Sequence, residues 1–146
     1  MLVWKKVYIM LRFVRHIPPY LPTILVVVAI CYISLSSDPF PDKERWLNFP
    51  GSDKVVHFIM YGGLTATFCF DYHRRHAELL KPWLFVAVLA VAIVMGAVME
   101  WLQMCMGVGR TGDILDFVAN SLGACLGIVA GNKIFARLFA IYRLQK

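Results

Sequence analysis

From Pro82 to Met99 the chain runs 18 residues without a single charge. As an α-helix this run is about 27 Å long, close to the ~30 Å hydrocarbon thickness of a bilayer. A helix at the surface of a soluble domain shows a polar stripe, and this one has none. The remaining sequence agrees. Of 146 residues, 60% are hydrophobic and only 16% are charged, and the mean hydropathy is +0.66. Soluble domains carry about 45–50% apolar and about 25% charged residues. This composition excludes a disordered chain and argues against a single water-soluble domain.

Three further apolar segments accompany the run: Tyr20 to Ser34, Lys54 to Phe70, and Ile114 to about Ala130. At about 20 residues per span, four spans leave room only for short loops and tails. The expected fold is an all-α bundle of four transmembrane helices. It divides into a basic amphipathic helix over 1–19, a membrane domain over 20–135 and a basic cytoplasmic tail over 136–146. The first segment is read as a span and not as a cleaved signal. Its leader is long for a signal peptide and contains Pro18-Pro19, although Ser34-Leu35-Ser36 loosely resembles a cleavage site.

The charges set the expected orientation. Lys5, Lys6, Arg12 and Arg15 precede the first span; Arg74, Arg75 and Lys81 lie between the second and third; Lys133, Arg137, Arg143 and Lys146 follow the fourth. Alternate loops share a side, so these eleven face one way. Only Lys43, Arg45, Lys54 and Arg110 face the other. The positive-inside rule makes the first side cytoplasmic, with both termini on it. Seven of the nine acidic residues fall outside, giving +9 within and −3 without. The formal charge of +6 is therefore attributed to orientation and inner-leaflet attraction, with no nucleic-acid partner implied. Lys5, Lys6, Arg12 and Arg15 share one face of a helical wheel, opposite Val3, Val7, Leu11 and Val14, as in a helix lying on an anionic surface.

Polar residues near the outer ends of three spans fall in helical register. Asp53, His57, Tyr61 and Thr65 recur every four residues, while Glu100 and Gln103 are three apart. Arg110 lies in the next loop, and Asp113, Asp116 and Asn120 are spaced three and four. The last spacing continues into Gly123 and Gly127. All of these enter from the outer side, which predicts one shared outer pocket. Simpler roles exist for each part. Asp113 would cap the fourth helix, and Ser52 or Asp53 the second. Gly123, Gly127 and Gly131 form a small-residue stripe typical of a helix contact. His57 alone would be a hydrogen-bonded core histidine. Together the group is harder to dismiss, because a charge at mid-bilayer depth costs about 2.5–3.5 kcal/mol on insertion scales. Cys31, Cys69, Cys105 and Cys125 show no metal-type spacing and read as small apolar residues.

The segments Asp53-Lys54-Val55-Val56-His57-Phe58-Ile59-Met60-Tyr61, Glu100-Trp101-Leu102-Gln103 and Arg110-Thr111-Gly112-Asp113-Ile114-Leu115-Asp116-Phe117-Val118-Ala119-Asn120 resemble the VanZ-like family of small bacterial membrane proteins. The likeness covers about residues 20–135. It implies a multi-pass protein of the bacterial inner (plasma) membrane. The family's founding member belongs to a glycopeptide-resistance cluster and is linked to teicoplanin resistance. The family supplies no reaction.

Three function classes stay open. In the first, an enzyme acts on a membrane lipid or a lipid-linked envelope precursor. Glu100 and His57 share acid/base roles, and Asp116 orients His57. Arg110 grips a phosphate or carboxylate, while Asp53, Asp113, Asn120, Gln103 and Tyr61 complete the substrate site. Asp113 and Asp116 could alternatively take a divalent cation with His57, although no metal set is assigned from spacing. In the second, the same pocket binds the lipid without turnover, or is a purely structural network. In the third, an oligomer forms a small proton-coupled transporter. The sequence specifies no cofactor and leaves the oligomeric state open.

Overall fold

The computed structural model describes residues 11, 13–14, 16–36, 49–76, 78–106 and 113–144. Among the described residues the fold is built on four helices: α1 Leu21–Leu35, α2 Ser52–His73, α3 Pro82–Met106 and α4 Ile114–Leu144. The all-α class is as expected. Among the described residues, α3 and α4 are long and apolar enough to cross a membrane, and α1 is apolar but 15 residues long. Helix α2 is 22 residues long and more polar.

Local chemistry explains where these helices begin. Pro22 stands in the first turn of α1, where its missing N–H costs nothing. Helix α3 opens on Pro82 for the same reason. The expected side-chain cap on α2 is not formed. Its N-cap is Gly51, at φ 82°, with no side-chain hydrogen bond from Ser52 or Asp53. A left-handed backbone favours glycine there and turns the chain directly into the helix. Asp113 does cap α4, its Oδ1 accepting from the Leu115 amide at 2.9 Å. Helix α4 does not stop near Ala130. It runs 31 residues, about 46 Å.

The helices alternate in direction. Gln103 near the end of α3 donates to the Ser34 carbonyl near the end of α1, and Glu100 accepts from the Asp113 amide just before α4. At the opposite end Thr23 of α1 donates to Asp71 of α2. The closest packing joins α2 and α4. A Cβ at Gly123 would overlap the Phe58 carbonyl, and one at Gly127 the Gly62 carbonyl. A Cβ at Gly131 would sit 3.0 Å from Cα of Ala66. The glycine stripe is thus a helix contact, backbone against backbone.

Large apolar side chains cover the outside of the helices, while several charged and polar side chains are buried within an otherwise apolar core. Ile24, Leu25, Val28, Val94, Leu122 and Leu126 are all exposed, whereas Asp71, Glu100, Asp116 and Asn120 are buried. Trp83 and Trp101 are exposed on one face of α3, 18 residues or about 27 Å apart. An apolar cavity of about 340 Å³ lies among α1, α2 and α3, lined by Val27, Leu64, Phe68, Val88 and Met95 among others. Most of the basic stretch over 1–19 lies outside the described residues. Its Leu11 is buried against Phe139 and Tyr142 of α4.

Candidate functional site

Four helical residues predicted to share a pocket meet at one end of the bundle. His57 comes from α2, Glu100 from α3, and Asp116 and Asn120 from α4. His57 Nδ1 lies 3.0 Å from Asn120 Oδ1, and Asn120 Nδ2 donates to Glu100 Oε1 at 3.4 Å. Glu100 Oε1 is 3.8 Å from His57 Nδ1, and Asp116 Oδ2 is 3.9 Å from His57 Nε2. The network fixes the donors. Asn120 uses its amide on Glu100, so its carbonyl oxygen accepts from His57. Neutral His57 then carries its proton on Nδ1 and turns the Nε2 lone pair towards Asp116. Gly96 makes room for this arrangement: a Cβ there would meet Asn120 Cβ at 3.3 Å and the Tyr61 ring at 3.5 Å.

A second layer lies nearer the surface. Lys54 Nζ pairs with Asp113 at 2.9 Å, Asp53 at 3.0 Å and Asp116 at 3.4 Å. Asp113 lies outside the helices, and its carboxyl is held below the ordinary range by the Lys54 ammonium and then by the Leu115 amide. Asp113 thus caps α4 with one oxygen and binds Lys54 with the other. Asp116 links the two layers.

The remaining predicted residues go elsewhere. Gln103 turns to α1, where it donates to the Ser34 carbonyl at 2.9 Å. Tyr61 is wholly buried beside Ile30, Leu64, Ala92 and Ala124. Its hydroxyl has no hydrogen-bond partner among the described residues. Thr65 donates to the Ala124 carbonyl at 3.0 Å and joins α2 to α4. Arg110 lies outside the described residues.

A second polar centre, at the far end of α2, went unread in the sequence. Asp71 and Arg74 form an ion pair at 2.7 Å, and both side chains are shielded from solvent. Arg74 also donates to the carbonyls of Val14, Ile17 and Pro18. Nearby, His73 Nε2 lies 2.8 Å from Asn132 Oδ1, and Arg143 donates to the carbonyls of His73 and His76. The available signal was the i, i+3 spacing of Asp71 and Arg74 at the end of an apolar segment.

The cluster is joined only in part by direct hydrogen bonds. Asp116 Oδ2 and His57 Nε2 face each other at 3.9 Å, beyond direct hydrogen-bond distance. Asp116 Oδ1 is buried and lies 3.4 Å from the Lys54 ammonium.

Comparisons with known proteins agree with the motif reading. No solved structure matches the chain. An uncharacterized protein of the fission yeast Schizosaccharomyces pombe is 31% identical over 122 residues, covering 82% of this chain and 71% of the relative. That likeness reaches outside bacteria. The VanZ/LLP1 family model matches residues 9–136, a stretch that includes all four site residues. With its apolar helices and buried polar cluster, this chain is a membrane protein of the VanZ/LLP1 family.

Proposed function

We propose that the protein spans the membrane four times, with both termini cytoplasmic, and works at the outer face on the polar headgroup of a lipid or lipid-linked precursor. One observation carries this reading. His57, Glu100, Asp116 and Asn120 converge from three helices at one end of an apolar belt, with their hydrogen bonding incomplete. The exposed pair Trp83 and Trp101 supports the depth. Tryptophans favour the two membrane interfaces, and their ~27 Å separation matches the hydrocarbon thickness. Glu100, adjacent to Trp101, then sits at the outer boundary. A headgroup reaches that level, whereas a hydrocarbon chain alone would gain nothing from carboxylates.

The chemistry supported best is acid/base. His57 is the first proton-transfer group, its ring oriented through Nδ1 by Asn120 with Nε2 turned to Asp116. Glu100 is the second proton-transfer group and is held by Asn120 and the Asp113 amide. Arg110, six residues before Asp116 in sequence, supplies the cation for a phosphate or carboxylate. A binding protein without turnover is the second reading, favoured by the hydrogen bonds that immobilise Glu100.

Mass spectrometry of the purified protein incubated with a polar lipid extract separates these readings. Wild type is expected to retain and convert one lipid species. Glu100→Gln should retain that lipid, at unchanged membrane abundance, and lose conversion by at least about 10²-fold. Retention without conversion by wild type establishes the binding reading. Neither retention nor conversion by wild type removes the headgroup assignment.

A further inference from the structure

We propose that the cavity among α1, α2 and α3 holds one acyl chain of a glycerophospholipid from the leaflet on the side of Trp83, with the lipid's phosphate at Lys81. Protein interiors are close-packed, and few of their voids exceed a water molecule. At about 340 Å³ this cavity is far larger. Water does not suit it, because a buried water needs about two to four polar partners. Among the described lining residues only Thr23 and Thr65 carry hydroxyls. Both are already committed, Thr23 to the Asp71 carboxylate and Thr65 to the Ala124 carbonyl. The rest of the wall is aliphatic and aromatic, with Leu64, Phe68, Val88 and Met95 among its residues.

Depth and size identify the occupant. On α3 the lining runs from Leu84 to Met95, about 16 Å of helix, or half of the ~30 Å hydrocarbon core. It starts beside the exposed Trp83, and at the same end Tyr20 stacks on the lining Phe68 at 5.7 Å. Tryptophan and tyrosine favour the membrane interface, so the cavity spans one leaflet from its surface inwards. An acyl chain of that leaflet has this reach. A helix of the same length is about 10 Å across and needs roughly 1,200 Å³, too much for the space. Val91 lines the cavity and is 69% exposed, so the cavity opens sideways to the bilayer.

Charge at the mouth fits the other end of a lipid. Between α2 and α3, Arg75 and Lys81 are exposed and outnumber the one exposed acid there, Glu78. Lys81 stands one residue before α3 and three before Leu84, at the level of the phosphate of a lipid whose chain begins beside Leu84. The cluster of His57 and Glu100 is a separate place. The wholly buried Tyr61 ring lies between, four residues along α2 from His57 and against Gly96 of α3, just beyond Met95. The inference rests on the placement of the bundle in a membrane and is independent of the headgroup reading for the outer cluster.

The test is native mass spectrometry of delipidated, detergent-purified full chain titrated with dioleoylphosphatidylglycerol. Saturable retention of one lipid per chain is expected. Ala87→Phe, which fills the cavity, should abolish it. Ala90→Phe, on the exposed face of the same helix, should leave it intact. Lys81→Gln should weaken it about five-fold, the worth of one lysine at an anionic membrane surface. Should Ala87→Phe misfold, a phosphatidylglycerol with a diazirine midway along one chain gives the answer with wild type. Light should attach it to Leu64, which lines the cavity and is buried from the surrounding lipid. Absence of saturable wild-type retention overturns the proposal. So does equal loss in Ala87→Phe and Ala90→Phe, or attachment confined to the exposed Val86 and Val94. Asn120→Ala, at the outer cluster, should leave retention unchanged. Loss in Asn120→Ala with retention in Ala87→Phe would move the lipid to the outer cluster, overturning this site while the headgroup reading stands.

Discussion

The Asp71–Arg74 pair shows how much one buried charge can decide. Both side chains are out of contact with solvent, and Arg74 fastens three carbonyls of the N-terminal segment. Removing one partner strands the other, at a cost of about 3–5 kcal/mol. Asp71→Ala should therefore lower the melting temperature in detergent sharply. The double variant Asp71→Ala/Arg74→Met should lose less than the two single losses added together. Strict additivity would show that the pair is not coupled. The pair is not legible in the sequence, where Arg74 reads as one of the charges between spans that set orientation. The partners of the neighbouring His73 and Arg74 lie 56 to 60 residues away along the chain, beyond any helical period. The outer cluster was legible because each helix brings its residues in 3–4 register to one face. Gln103 was not, since a step of three residues turns it about 60° from Glu100, enough to face α1.

At the scale of elements, the α2–α4 seam allows little change. Backbone atoms of one helix occupy the space where side chains of the other would begin. Gly127→Ala must push the helices apart and should cost about 1–3 kcal/mol, as overpacking does. Gly63 is a control on the same helix as Gly62. It is exposed and has nothing within 4 Å of a built Cβ. Gly63→Ala should be neutral or stabilising by up to about 1 kcal/mol. Thermal melts of the two variants in one detergent check the contrast, and equal effects would contradict the packing. The seam was readable from the spacing of Gly123, Gly127 and Gly131. The helix ends were less so. The N-cap of α2 is a backbone conformation at Gly51 and leaves no side-chain signature. Helix α4 outlasts its apolar stretch because Arg143 finds partners in the carbonyls of His73 and His76.

For the whole molecule, the proposed orientation rests on where the cations fall along the sequence and is open to direct test. Cys105 is exposed near the end of α3 that carries Glu100, while Cys69 is buried. In intact cells a membrane-impermeant maleimide should label Cys105, and Cys105→Ser should abolish the signal. A cysteine introduced at Lys146 should react only after permeabilisation. The reverse pattern would place the cluster on the cytoplasmic side.

The glycine seam also governs how the cluster can move. His57 rides on α2, and Asp116 and Asn120 ride on α4, two helices too closely joined to slide independently. These three groups therefore form a fixed half. Glu100 arrives on α3, which meets that body across Gly96, where a Cβ would crowd Asn120 at 3.3 Å without overlapping backbone as it would in the glycine seam. A small tilt of α3 would change the distance from Glu100 to its neighbours and leave the His57–Asn120 hydrogen bond untouched. Any adjustment of the cluster to what it holds is thus a one-sided motion, made by the carboxylate of α3 against a rigid imidazole and amide.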